Sequence, residues 1–148
     1  MKKLLISILV ALALPAAASA HHHGLYARLS GTGTLASANG TMSSTKLGTG
    51  TFHSTVTATG AATTRTGEHG TLSCAPATAT VTLTGTSTMS STLTGKTCTF
   101  TRAGTTTAVG SLFFGRNVTT NLKAFLVAKA DGTVHGAVLT GLHHEDRD

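Results

Sequence analysis

The chain of 148 residues has no tryptophan, a single tyrosine and only five acidic residues. Lysine and arginine outnumber the acids and give a formal net charge of +6, but these cations are scattered and form no basic block. Nucleic-acid binding requires clustered cations that neutralise phosphates and aromatic rings on which bases stack. Because both are missing, the sequence argues against nucleic acid as a partner.

The acids are also poorly placed for catalysis. The only carboxylates well inside the chain are Glu68 and Asp131, and Asp131 is accounted for by a turn with Gly132. Glycoside cleavage needs a pair of carboxyl groups, and no serine stands in the G-x-S-x-G context of a hydrolase nucleophile. The sequence therefore predicts a non-enzymatic binding protein.

Cysteine is limited to Cys74 and Cys98. In an oxidising compartment, such a pair is more often a disulfide than a metal or catalytic site. Closing a loop of about 25 residues would stabilise the folded state by about 3–4 kcal/mol in the chain-entropy model. We therefore predict a Cys74–Cys98 disulfide, which also leaves no free thiol nucleophile.

The amino-terminal segment has the pattern of a signal peptide. Lys2 and Lys3 precede an apolar run, residues 4–14, and the small residues 18–20 follow it. The run is shorter than the roughly 20 residues that a membrane-spanning helix needs, so no membrane span is expected. The sequence predicts a signal peptide over residues 1–20 and an exported domain, periplasmic or extracellular, over residues 21–148.

Alternation of threonine with apolar residues indicates strands. In the stretch 78–88 every second residue is Thr, and Ala79, Val81 and Leu83 share the other face. The stretch 51–59 has the same pattern, with Phe52, Ser54, Val56 and Ala58 predicted to face inward. Glycines recur about every ten residues, the spacing of strands joined by turns. The expected fold is all-β: one antiparallel barrel or sandwich of about eight strands.

Finer features follow from three short segments. Residues 97–102 are predicted to turn Cys98 and Phe100 inward, which would place the disulfide at the core. The Asp131-Gly132 pair predicts a type I′ hairpin turn in which Leu126 pairs with Ala137. Apolar residues then fall on both faces of that hairpin, as in a sheet covered on both sides.

A repeated pentapeptide suggests an internal duplication. Residues 41–45 and 88–92 both read Thr-Met-Ser-Ser-Thr, and a Thr-Phe pair follows each copy. Chance similarity in a chain rich in serine and threonine is the alternative.

Histidines at the expected mature amino terminus suggest metal binding. Cleavage after Ala20 would expose His21-His22-His23, so that the free amine, two backbone amides and the His23 imidazole could surround Cu(II) or Ni(II) in a square plane. This arrangement resembles the amino-terminal copper- and nickel-binding motif of albumins. His143 and His144, near the other end of the chain, are added to the candidate ligands because the termini of one domain often lie close together.

A histidine brace is a second form of the metal hypothesis. In copper oxygenases whose mature chains begin with His, the leading amine and imidazole share copper with another His. Here His21 would be the leading residue, and His53, His69 or His135 the partner. The resemblance extends only to the leading histidine.

Two non-metal functions stay open. Regular threonines on a sheet can order water, and these T-x-T strands resemble the ice-binding faces of some antifreeze proteins. Such a face needs several rows in register and little twist. Alternatively, a barrel of about eight strands can carry a small apolar ligand, with Phe113, Phe114 and Phe125 as candidate lining residues.

Overall fold

The computed structural model describes residues 24–140, which form nine β-strands and no helix. Consequently this part of the chain contains no helix that could cross a membrane. The strands are β1 (Tyr26–Gly33), β2 (Ser37–Ser44), β3 (Gly48–Ala58), β4 (Thr63–Gly67), β5 (Gly70–Thr84), β6 (Thr88–Arg102), β7 (Ala108–Asn117), β8 (Leu122–Lys129) and β9 (Thr133–Leu139).

Eight of these strands close into an antiparallel barrel. The sheet order is β3-β2-β1-β9-β8-β7-β6-β5-β4, and an additional pairing of β3 with β5 closes the ring. The all-β fold with about eight antiparallel strands is therefore confirmed, and closure makes it a barrel. The predicted signal peptide and the terminal histidine clusters lie outside the described residues.

The ninth strand, β4, extends the sheet beyond the barrel. The first residues of the long strand β5, 70–74, pair with β4, while its later residues, 77–84, pair with β3. Every residue of β4 is exposed to solvent. One edge of β5 thus serves two successive partners, and only the second of them belongs to the barrel.

The barrel interior holds the main core. An eight-stranded barrel is just wide enough for side chains to fill it, and the largest fully buried side chains include Phe113, Leu83, Leu93 and Leu126. The predicted inward faces are confirmed for Phe52, Ser54, Val56, Ala79, Val81 and Leu83. Ala58, also predicted inward, is exposed because β3 ends there.

The disulfide lies outside this core. The Cys74 and Cys98 sulfurs are bonded, and the two residues face each other across β5 and β6. On β7, Leu112 opposes Cys98, whereas the next residue, Phe113, faces the interior. Cys98 packs with Leu112 and Val127 in a separate small cluster on the outer wall. The prediction that the disulfide lies at the core was wrong.

Phe100 shares the outward face of Cys98 because it lies two residues further along β6. Its ring is buried next to Gly70, whose lack of a side chain makes room for it. Phe100 and Cys98 are therefore buried, as expected, but on the outer side of the sheet. When both faces of a strand are buried, the alternation of residues along the sequence does not show which face is the interior.

The β8–β9 hairpin differs from the prediction by one residue. Only Gly132 has a positive φ, 90°, so the turn is not type I′. The Gly132 N–H donates to the Lys129 carbonyl, and Leu126 pairs with Gly136 instead of Ala137. A three-residue loop with a glycine in the left-handed region replaces the two-residue turn. Apolar burial on both faces of the hairpin is confirmed.

The two copies of the repeated pentapeptide take different structures. The first lies at the end of β2, and its following Phe52 is inside the barrel on β3. The second begins β6, and its following Phe100 lies on the same strand and faces outward. The repeated sequence does not correspond to a repeated unit of strands.

Candidate functional site

The two ends of the described chain meet at one point of the barrel. The Thr140 N–H donates to the Leu25 carbonyl at 2.9 Å, and the Leu25 N–H donates to the Thr140 hydroxyl at 3.0 Å. Tyr26 and Leu139 are direct partners in the adjoining β1–β9 pair. The predicted metal ligands His21, His22, His23, His143 and His144 lie outside the described residues.

The three histidines inside the barrel domain are separated. His53 on β3 has its Nδ1 atom 2.6 Å from the side-chain oxygen of Asn39. His69, in the β4–β5 turn, is exposed and lies 3.3 Å from the Glu68 carboxylate. His135 is half-buried on β9. Between residues 24 and 140 no three His, Cys, Asp or Glu side chains come together as a metal-binding group.

Threonines of three neighbouring strands form an array on the outer wall. Cross-strand pairing aligns four rows of three residues each across β3, β5 and β6. None of these side chains is buried. We call this set the hydroxyl wall; its rows are Thr51–Thr84–Thr88, His53–Thr82–Ser90, Thr55–Thr80–Thr92 and Thr57–Thr78–Thr94.

The sheet fixes the spacing of this wall. Neighbouring strands lie about 4.8 Å apart, and residues on one face of a strand repeat about every 6.7 Å. The Thr82 and Ser90 hydroxyls are 3.1 Å apart and hydrogen-bonded, so neighbouring columns are in direct contact. The wall carries no lysine, arginine or carboxylate. It therefore presents a regular grid of methyl and hydroxyl groups.

The grid also curves. Adjacent strands are rotated by about 20–25° relative to each other, and β3, β5 and β6 belong to a closed barrel. A flat surface placed against the wall would make its closest contact along the central strand β5. The residues at the centre of such a contact are Thr80 and Thr82, which lie in the two middle rows and are half-buried between their neighbours.

We compared the chain with protein-family models, with curated proteins and with solved structures. None of them matches it. Functional inference for this protein therefore starts from its own surface chemistry.

A groove adjoins the hydroxyl wall at β1 and β2. Its volume is about 920 Å³, and its lining includes Tyr26, Arg28, Lys129 and His135 together with hydroxyl groups of β2 and β3. Burial raises the pKa of the Tyr26 phenol, and the positive charge of Arg28 partly offsets this. No carboxylate is among the lining residues, so the groove offers cations and hydroxyl donors to a polar ligand.

The candidate apolar lining does not form one pocket. Phe113 is fully buried inside the barrel, while Phe114 is 41% exposed on the outer wall. Phe125 pairs directly with Phe114 and faces the same way. Sequence analysis missed this outer aromatic pair. The signal was present in the alternation of Lys123, Phe125 and Val127 on one face of β8, but its meaning depends on which face is inside.

Proposed function

We propose that this protein binds an ordered, hydroxyl-rich solid surface through the hydroxyl wall, with ice as the surface to test first. The observation that carries the proposal is the register of the three strands, which aligns ten threonines, one serine and one histidine in four rows. Threonine methyl groups and hydroxyls at fixed spacing can hold water in a matching lattice, and because the barrel curves, this match is confined to the part of the wall around β5. These positions carry no lysine, arginine or carboxylate, so no strongly hydrated charge competes with an ordered water layer on the wall.

The test is ice growth in the presence of the purified protein. We expect faceted ice crystals with the unaltered chain, and loss of faceting with Thr80→Tyr and Thr82→Tyr, because a phenol ring on β5 lifts the wall from the surface. Thr119→Tyr, in the exposed turn after β7, is the matched control and is expected to retain faceting. Smooth, disc-shaped growth with the unaltered chain would remove the proposal.

A second candidate function is Cu(II) or Ni(II) binding at the terminal histidines. It is favoured by the pairing of Leu25 with Thr140, which brings both ends of the described chain together. His23 precedes Leu25 by two residues, so its Cα atom lies no more than about 7 Å from that of Leu25. His143 follows Thr140 by three residues, which gives a limit of about 11 Å. Donors from both clusters can therefore reach one ion.

Copper titration of the processed protein tests this second candidate. We expect one tightly bound Cu(II), affinity that falls in acid as the donors take up protons, and at least a hundredfold weaker binding in His23→Ala. His69→Ala removes an exposed histidine elsewhere and should leave the affinity unchanged. Equal binding by the unaltered chain and His23→Ala, or a mature chain beginning at another residue, would end the metal proposal.

A further inference from the structure

An aromatic pair, with one ring exposed and the other half-buried, lies on the outer wall at β7 and β8. Phe114 and Phe125 are direct cross-strand partners, and Phe114 keeps 41% of its surface in solvent. Among residues 24–140, only one other large apolar side chain, Val118, is classed as exposed. The barrel core is filled by other residues, so the Phe114 ring contributes little to it. Aromatic side chains are common in the lining of small-molecule sites.

The pair forms one side of a groove of about 310 Å³. Arg116 and Lys123, which oppose each other in the next outward row, form the other side. Between the two rows, Gly95, Gly115 and Ala124 alternate with the outward residues, so only backbone forms the floor. The groove is therefore apolar on one side and positively charged on the other.

No carboxylate of residues 24–140 balances the charge of this groove. Arg116 and Lys123 are like charges in directly opposed positions, which is destabilising in a sheet. Lys96, opposite Phe114 on β6, is a further cation near the groove but does not line it. The carboxylates of residues 24–140 are Glu68 and Asp131, both in turns, and neither forms an ion pair with these cations. An anion between Arg116 and Lys123 would relieve their repulsion.

We propose that this groove binds a single-chain anionic amphiphile, such as an alkyl carboxylate. The alkyl chain lies across the Phe114 and Phe125 rings, and the carboxylate accepts hydrogen bonds from Arg116 and Lys123. The volume is at the lower end of the range of about 300–1,000 Å³ for small-molecule sites, which suits one chain better than a two-chain phospholipid. This site adjoins the edge of the hydroxyl wall, with which it shares Thr94.

The test is titration of the intact protein with decanoate below its critical micelle concentration. Binding is measured by calorimetry and by the changes in amide chemical shift of β7 and β8. We expect saturable binding of decanoate and at least tenfold weaker binding of the uncharged 1-decanol. We also expect decanoate to bind at least tenfold more weakly to Arg116→Ala/Lys123→Ala and to Phe114→Ser. Lys46→Ala/Arg65→Ala removes the same charge elsewhere, and Val118→Ser removes another exposed apolar group. Both controls should retain decanoate affinity.

Thermal unfolding of every variant shows whether loss of binding comes from loss of the fold. If Arg116→Ala/Lys123→Ala unfolds, Phe114→Ser and the comparison of decanoate with 1-decanol still decide the matter. The proposal is overturned by equal affinity for the two ligands, by decanoate affinity unaffected in the folded groove variants, or by absence of decanoate binding. Binding to phosphatidylglycerol vesicles without binding of free decanoate would likewise overturn it and point to a membrane surface.

Discussion

Two polar residues show how the same chemistry has opposite consequences inside the barrel and at its rim. Ser54 is fully buried, and its hydroxyl has no hydrogen-bond partner within the described part of the chain. Asp131, at the tip of the β8–β9 hairpin, is exposed and accepts hydrogen bonds from the backbone and the side chain of Thr133. The unpaired Ser54 hydroxyl therefore destabilises the folded state, whereas the hydrogen-bonded Asp131 carboxylate stabilises the turn.

Ser54→Ala is expected to stabilise the protein. An unpaired buried hydroxyl costs about 1–3 kcal/mol, and the direct neighbours of Ser54 on adjacent strands are Ala38 and Val81. We expect the free energy of unfolding to rise by about 1 kcal/mol, which raises Tm by roughly 4 °C for a domain of this size. Ser43→Ala, on the exposed face of β2, is the control and should be neutral. A lower Tm for Ser54→Ala would show that the hydroxyl is satisfied.

Asp131 should titrate below its ordinary range. Hydrogen bonds from the Thr133 side chain and backbone, together with the nearby Lys129 charge, hold the pKa of this carboxyl below its ordinary value. Because the folded pKa is the lower one, its contribution to stability is present above the unfolded pKa and is lost as the pH falls through the folded pKa. Asp131→Asn keeps an acceptor in the turn but does not titrate.

The measurement is the carboxyl ¹³C shift of Asp131 against pH, with Thr133→Val as the comparison. We expect the pKa of Asp131 to rise towards its ordinary value in Thr133→Val, and we expect the stability of Asp131→Asn to fall less than that of the unaltered chain in acid. An unshifted pKa in the unaltered chain would contradict this account.

At the scale of elements, paired glycines let neighbouring strands approach each other closely. Gly95 on β6 and Gly115 on β7 are direct partners. A Cβ atom on Gly95 would collide with the Phe114 carbonyl oxygen and the Gly115 Cα atom, both of which are backbone. Gly31 on β1 and Gly40 on β2 form a second such pair. Glycines in these strands therefore mark close contacts between strands, and not only the turns that their spacing suggested.

Gly95→Ala is therefore expected to be strongly destabilising. Backbone atoms cannot move aside as a flexible side chain can, so the added methyl group should lower the free energy of unfolding by at least about 2 kcal/mol. Gly67→Ala, at the end of β4, is the control because no atom lies within 4 Å of its added Cβ. Urea unfolding of both variants tests this, and equal midpoints would show that the barrel adapts at Gly95.

At the scale of the whole molecule, the barrel has two chemically different sides. Uncharged hydroxyl groups cover β3, the later part of β5 and the first part of β6. The outward faces of β7, β8, β9 and β1 combine apolar side chains with cations, and the disulfide cluster lies at the boundary on β5 and β6. A protein of +6 formal charge thus keeps one wall free of lysine and arginine.

The disulfide is expected to support this whole arrangement. It crosslinks residues 24 positions apart, on the two longest strands. In the chain-entropy model its reduction should lower the free energy of unfolding by about 3 kcal/mol, measured by urea unfolding of the oxidised and reduced protein. Cys74→Ala/Cys98→Ala should match the reduced protein. A difference below about 1 kcal/mol would mean that the crosslink constrains little of the unfolded chain.

The sequence by itself determined the fold class, the strand periodicity and the pairing of the two cysteines, because alternation with period two reports local geometry and two cysteines allow only one intramolecular disulfide. It placed Ala79, Val81 and Leu83 inside correctly. Only the tertiary structure decided which face of a doubly buried strand is the interior, as for Cys98 and Phe100, and which threonines share a row. Those outcomes depend on barrel closure and strand register. Both are set by pairing between strands that are distant in the chain, and such pairing produces no periodic pattern in the sequence.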